Sequence, residues 1–409
     1  MNSTIVIGGG LVGAACALRL QAAGIQTTLI DPGDKRRGAS FGNAGHIGAE
    51  QVMPWSTWPN LVSAPLHLFG AGGPLDFRLR DIGLWLPWSL RFMAASDPKR
   101  VAASHAALVA LLHDAMRAWA RLETLADMPG MVRPHGQANV YMSAEAGDKA
   151  RELWARTPIG ACSYRDMSAD ELTRYDGVLR QRPASGLHVD GTGQVADPQG
   201  ARDGILAKFA ALGGDVIADS VETLDDSASV RLTSGKQRNA DALLVACGAW
   251  SAPIMRQLGV AAPLIGERGY SMQSIEHNWP EYLPTTIFEE RSVVLSRFTS
   301  GLRTTSFLEF GDPSAPPDPR KWARLHQHLD ELGVQFSKTP DRWVGPRPTL
   351  PDYVPAIGRL KRAPKVLYAF GHAHLGLTEC AITAEAIEAL ATDKPPPFDL
   401  TPFQIERFG

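Results

Sequence analysis

Glycines, arginines and histidines in a few short clusters carry the evident chemistry of this sequence. The first cluster is Gly8-Gly9-Gly10-Leu11-Val12-Gly13. In a Gly-x-Gly-x-x-Gly turn the first glycine, Gly8, permits the tight bend, and the second, Gly10, lets backbone approach a pyrophosphate. The third, Gly13, lets a helix pack closely on a strand. A helix starting at Leu11 and Val12 then aims unpaired N–H groups and its positive dipole end at the phosphates. Asp31, at the end of the next apolar run, can accept hydrogen bonds from a ribose diol and repels a 2′-phosphate. The chemistry implied is the holding of a dinucleotide.

Three further clusters narrow which one. Ser40-Phe41-Gly42-Asn43-Ala44-Gly45-His46-Ile47 is a small-residue loop whose glycines permit close approach of a flat ring. Leu243 to Ser251 is an apolar run ending in Cys247-Gly248-Ala249, as for a strand that meets a cofactor at Gly248. Near the end of the chain, Phe370-Gly371-His372-Ala373-His374-Leu375-Gly376-Leu377-Thr378 reads as strand, glycine turn and helix. A helix N-terminus there can stabilise negative charge on a reduced flavin. NAD folds need no such late return to the cofactor, so FAD is expected and an NAD-linked dehydrogenase is the rival. His372 and His374 alternate as metal ligands can, but no cysteine or acidic cluster accompanies them, so no metal is expected.

The elements that must position these clusters follow from periodicity. Residues 4–7 and 27–30 are strands flanking a helix from Leu11 to Gly24, a βαβ unit. Residues 54–88 are irregular and rich in Pro, Gly and Trp. Helical segments follow at 99–127 and 144–156, and a capped turn opens a short helix at 166–172. Asp197–Leu212 is a helix, 215–217 and 242–246 are strands, and 264–309 is strand-like. A loop at 312–319, a helix at 320–332, a strand at 366–370 and a helix from Leu377 to Leu390 complete the chain. The fold class is α/β: a Rossmann-like FAD-binding domain interleaved with an α+β substrate domain whose sheet is mostly antiparallel. The division is 1–82, 185–265 and 340–409 for the cofactor, with 83–184 and 266–339 for the substrate.

Size and charge agree with that reading. The chain has 409 residues, 44% of them hydrophobic and 21% charged, which suits two associated globular domains. A net charge of −2 argues against a nucleic-acid partner. Cys16, Cys162, Cys247 and Cys380 form no C-x-x-C pair, as for buried thiols in a reducing compartment. With no signal-peptide pattern and no apolar run long enough to span a bilayer, a cytoplasmic location is expected. Trp55, Trp58, Leu66, Leu68, Phe69, Trp85, Leu86 and Trp88 allow a second expectation, peripheral contact with the inner membrane.

Together these residues resemble the glycine oxidase, sarcosine oxidase and D-amino acid dehydrogenase family of FAD enzymes. The turn at Gly8–Gly13, the loop at Ser40–Ile47, Val245–Ser251, Gly345-Pro346-Arg347-Pro348 and Gly371–Thr378 stand in the family's order. Ser-Phe-Gly-Asn-Ala-Gly and Gly-His-Ala-His-Leu-Gly-Leu-Thr are most like bacterial D-amino acid dehydrogenases, especially the branch acting on D-hydroxyproline. The resemblance implies oxidation of a C–N bond, with hydride passing to flavin N5 and an imine leaving. Quinone, oxygen or a protein would then take the electrons. It also implies a carboxylate partner at Arg347, a substrate-facing tyrosine at Tyr270 and an adenine contact at the Val221 backbone. Arg303 is a second carboxylate candidate, and His46 and His374 border substrate or flavin. Attachment of FAD through Cys380 or a histidine stays open, as does a non-catalytic FAD subunit. The family's Asp-Gly pair is replaced here by Leu350-Pro351-Asp352-Tyr353, which puts the pocket edge in doubt.

Overall fold

The computed structural model describes residues 1–34 and 38–409. The β-branched strand Ser3–Ile7 lies between Gln26–Asp31 and Ala242–Val245, parallel to both. Asp215–Ala218 extends the sheet at one edge, and Val366–Phe370 and then Ala356–Arg359 at the other, the last antiparallel. Four of the parallel strands therefore bring Gly8, Asp31, Ala246 and Gly371 to one carboxyl edge, where open α/β sheets bind ligands. Helix Leu11–Ala22 presents Ala14, Cys16, Ala17 and Leu18 to the core, and the first three, being small, let helix Gly376–Ala391 pack beside it. Arg19 ties the two helices through Glu385 at 2.5 Å and Glu388 at 3.1 Å.

The second layer is a nine-stranded, mostly antiparallel sheet. Its order is Asp341–Thr349, Ile265–Ser274, Gly301–Gly311, Val293–Phe298, Thr285–Phe288, Gln137–Tyr141, Ser185–Asp190 and Ser163–Asp166, with Leu75–Phe77 beside Gly301–Gly311. The interleaved α/β architecture matches the expected fold class. Ser185–Asp190 and Asp341–Thr349, assigned from sequence to the cofactor domain, pair within this sheet. A strand's sheet is chosen by long-range pairing, which local pattern does not encode.

Residues 54–88 differ from the irregular segment expected. They contain helix Trp58–Ser63 and strand Leu75–Phe77, and helix Ile82–Ala95 runs straight through Pro87. Proline in a helix costs a hydrogen bond, but Trp85, Trp88 and Phe92 pack from this helix onto Phe77, Phe310 and Tyr353. Aromatic burial of that size outweighs the lost bond.

Candidate active site

A cavity of about 860 Å³ lies between the carboxyl edge of the parallel sheet and the nine-stranded sheet, within the range of cofactor and ligand pockets. At the parallel-sheet end its wall includes Gly8, Gly10, Leu11, Val12, Asp31, Ser40, Val221 and Gly248. Gly8 has φ +106°, and a Cβ there would meet Ala246 O at 2.5 Å. Gly13 lies behind the wall, where its own Cβ would stand 1.9 Å from Gly8 O. The Leu11 N–H donates to Ser40 Oγ at 3.0 Å, which joins the helix start to the following loop. Asp31 accepts one N–H on each oxygen, from Gly9 at 2.7 Å and Gly33 at 2.9 Å, and each oxygen keeps a lone pair for a diol. Buried Arg202 donates from Nε to Gly9 O at 2.6 Å and holds Nη2 3.9 Å from Asp31. Nothing local marks this arginine in the sequence, since its helix begins far downstream.

The 40–47 loop is a fitted element. Asn43 Oδ1 accepts from the Gly45 N–H at 2.7 Å, an Asx turn, and Gly45 takes φ +70°. A Cβ on Gly42 would fall 1.9 Å from the Trp343 ring, and Trp343 itself forms cavity wall. Ala44, Asn43 and His46 line the cavity, while Gly45 does not. Arg303 also departs from its expected role. It is buried outside the wall, donating from Nη1 to Phe41 O and Asn43 O at 3.0 and 2.6 Å and from Nε to Gln273 Oε1 at 2.9 Å. It anchors the loop from behind rather than meeting a substrate carboxylate.

Arg347 does reach the cavity. Its Nη1 donates to Glu267 Oε1 at 3.1 Å and to Phe307 O at 3.0 Å. Gly269 lies flat beneath the guanidinium, where a Cβ would come within 2.3 Å of Nη2. Among the described residues no hydrogen bond occupies Nε or Nη2, so one forked edge is left for a planar anion. Fully buried Glu267 also accepts from Thr349 Oγ1 at 3.3 Å and from the Tyr353 hydroxyl at 3.1 Å. Tyr353, part of the segment that departs from the family pattern, sits at φ +58° to do this.

Tyr270 borders the cavity, but it is buried with its ring packed on Phe307 and Trp322, and its hydroxyl is committed elsewhere. It donates to Glu309 Oε2 at 3.0 Å and accepts from the Asp318 N–H at 2.9 Å. Glu309 is buried with Arg268, 2.6 Å away, and Lys321, so this hydroxyl belongs to a structural ion cluster. The substrate-facing tyrosine that the resemblance implies is instead a core tyrosine at the cavity's edge, its ring against Phe307 and Trp322.

The cavity histidines join through residues that sequence reading missed. His374 Nε2 is 2.7 Å from Gln51 Oε1, and Gln51 Nε2 donates to Glu50 Oε1 at 3.2 Å. The same oxygen accepts from Gln137 Nε2 at 3.3 Å and lies 3.5 Å from His46 Nε2. Glu50 Oε2 is buried with no hydrogen-bond partner among the described residues. Burial alone would raise the Glu50 carboxyl, but the His46 imidazole and the amide of Gln51 bring it below its ordinary value. Burial, then the charge of Arg347, pushes His374 down to about 4, and burial pushes His372 down to about 3. Both rings are therefore neutral near pH 7. His372 Nε2 pairs with Thr383 Oγ1 at 3.1 Å.

His372, Leu375, Gly376 and Leu377 line the cavity, whereas Gly371 and Thr378 stand behind it. Thr378 Oγ1 accepts from the Gly48 N–H at 3.0 Å, docking the last helix on the 40–51 segment. Cys380 is buried off the cavity with its thiol donating to Leu377 O at 3.2 Å, out of place for attachment to a flavin. Glycines at the strand ends, a diol acceptor at Asp31, a helix start at Leu11 and a long cavity fit FAD.

Comparison with known proteins agrees. The family described as FAD dependent oxidoreductase matches residues 3–390. A D-amino-acid oxidase of Bradyrhizobium diazoefficiens is 30% identical, covering 98% of each chain. A D-amino acid dehydrogenase of Sinorhizobium medicae is 26% identical over 99% of each. Glycine oxidase from Geobacillus kaustophilus has the same fold, with a TM-score of 0.70 at 18% identity over 99% of each chain. The chain belongs to the FAD-dependent oxidoreductases, with FAD as its cofactor.

Proposed function

We propose that this chain oxidises the C–N bond of a D-amino or cyclic imino acid, with cis-4-hydroxy-D-proline as a leading substrate. The observation that carries the reading is the open Nε–Nη2 edge of Arg347 in the cavity. That edge matches a carboxylate bidentately, and buried Glu267 fixes the guanidinium from behind. The two relatives named for D-amino acids support the same chemistry. FAD, when bound, supplies the two-electron acceptor. The chain itself binds and orients: Arg347 holds the carboxylate, and Trp343 supplies apolar wall. The neutral rings of His372 and His374 add no cation to repel the amine.

The test is anaerobic addition of cis-4-hydroxy-D-proline, D-proline, D-alanine, L-proline, glycine and sarcosine to the purified holoprotein. Bleaching of the flavin band near about 450 nm by a D-amino or imino acid is expected. A flavin that none of the D-configured acids reduces would overturn the reading.

A further inference from the structure

Of sixteen large hydrophobic side chains exposed among the described residues, eleven fall between Trp55 and Met93. Helix Ile82–Ala95 shows how this arises. Trp85, Trp88, Phe92 and Ala95 share one side at helical spacing, and Trp88 and Ala95 are buried. Ile82, Leu86, Leu90 and Met93 share the other side, and all four are exposed. The preceding segment adds Val62 and Leu66, 75% and 76% exposed, and Leu79 at 81%. A monomer has no reason to keep so much apolar surface in water.

Charge on this stretch has one sign. Its two acids are turned inward, Asp76 onto Lys321 and Asp81 onto Arg78 at 3.4 Å. Between Trp55 and Ser96 no carboxylate is exposed, whereas Arg80 and Arg91 are. No helix among the described residues is long and apolar enough to cross a membrane. The geometry points to a docking surface for an anionic lipid bilayer: helix Ile82–Ala95 lies in the interface plane, its aliphatic side chains among acyl chains and Arg80 and Arg91 at the headgroups. A helix apolar on both sides, one packed on the protein and the other exposed beside cations with no exposed acid, is suited to that position. Eight of the eleven exposed side chains are Leu, Ile or Val, whereas protein-binding hot spots favour Trp, Tyr and Arg and are poor in Leu and Val. Trp55 ties the surface to the cavity. It is 41% exposed, lines the cavity wall, and has its ring 5.5 Å from His374. Docking therefore brings the part of the cavity wall that Trp55 forms beside the lipid.

Flotation of the holoprotein with phosphatidylcholine vesicles, with and without phosphatidylglycerol, tests this. The protein should float with the anionic vesicles. Leu86→Glu/Leu90→Glu should lower that partition at least about tenfold. Arg80→Gln/Arg91→Gln should weaken it about fivefold per charge and flatten its salt dependence. All four positions are exposed, and retained flavin absorbance shows that each variant is folded. A wild-type protein that stays with the unfloated fraction for both vesicle types overturns the proposal. So does partition unchanged in Leu86→Glu/Leu90→Glu, or a lipid-independent dimer that this variant dissolves. Distribution of protein is read, not turnover, so the outcome is independent of which amine is oxidised.

Discussion

Glu50 and His374 are joined through a single side chain. Gln51 accepts at Oε1 from His374 Nε2, 2.7 Å away, and donates from Nε2 to Glu50 Oε1 at 3.2 Å. An anionic Glu50 can only accept, so it fixes which way the Gln51 amide points. The amide oxygen in turn holds the proton of His374 on Nε2 and leaves Nδ1 as an acceptor. Glu50 thus sets the tautomer of a cavity histidine it does not touch.

Glu50→Gln keeps the size and removes the anion, so the Gln51 amide is free to reverse. The expected result is a loss of about tenfold in kcat with FAD still bound, as for one misdirected buried hydrogen bond. The ring-nitrogen NMR shifts of His374 should report the change of tautomer. Unchanged shifts with the same loss of kcat would show that Glu50 only packs.

The two arginines expected from sequence to meet a carboxylate should separate cleanly. Arg347→Ala should raise the apparent substrate constant roughly hundredfold, the cost of removing a charge-assisted bidentate contact, while flavin content stays normal. Arg303→Ala frees Phe41 O and Asn43 O and should instead weaken FAD retention, with the substrate constant at saturating FAD nearly unchanged. FAD titration and steady-state kinetics on both variants check the contrast, and interchanged effects would reverse the assignment.

What was legible in the sequence was local. Gly8, Gly10, Gly13 and Asp31 were readable because a tight turn and a strand end demand particular residue types in a short span. The turn at Gly371–Leu377 and the loop at Ser40–His46 were readable for the same reason. Arg202 against Gly9, Trp343 against Gly42 and Glu267 behind Arg347 were not. Each depends on a side chain far away in the chain, and residue type gives no direction. Tyr270 and Arg303 illustrate the limit. Both lie in paired strands of the second sheet, but the hydroxyl of one and the guanidinium of the other are claimed by Glu309 and by the 41–43 backbone.

Acid should destabilise the protein through buried His372 and part-buried His374. His372 and His374 are held down at about 3 and about 4 in the folded state, against about 6.5 unfolded. Between those values the unfolded chain takes up protons that the folded chain refuses, so stability falls as pH drops through 6.5. The loss by pH 5 is about 2 kcal/mol per histidine. Urea unfolding at pH 7.5 and pH 5 should show it, and His372→Gln should remove about half. A stability that is flat across this range would mean that these rings take up protons in place.

Gly42 offers the sharpest steric test of how loop and wall are fitted. A methyl group at this position would lie 1.9 Å from the Trp343 ring, well inside contact distance, and the ring has its own backbone strand at Asp341–Thr349 behind it. The indole must therefore swing or the 40–47 loop must lift. The first response moves the Trp343 part of the cavity wall and the second moves Asn43 and Ala44, so Gly42→Ala should weaken FAD binding at least about tenfold. The double variant Gly42→Ala/Trp343→Phe, with a smaller ring, should recover part of that loss. FAD titration followed by flavin fluorescence measures both, and a Gly42→Ala protein with wild-type affinity would show that loop and indole are not in contact when the flavin is bound.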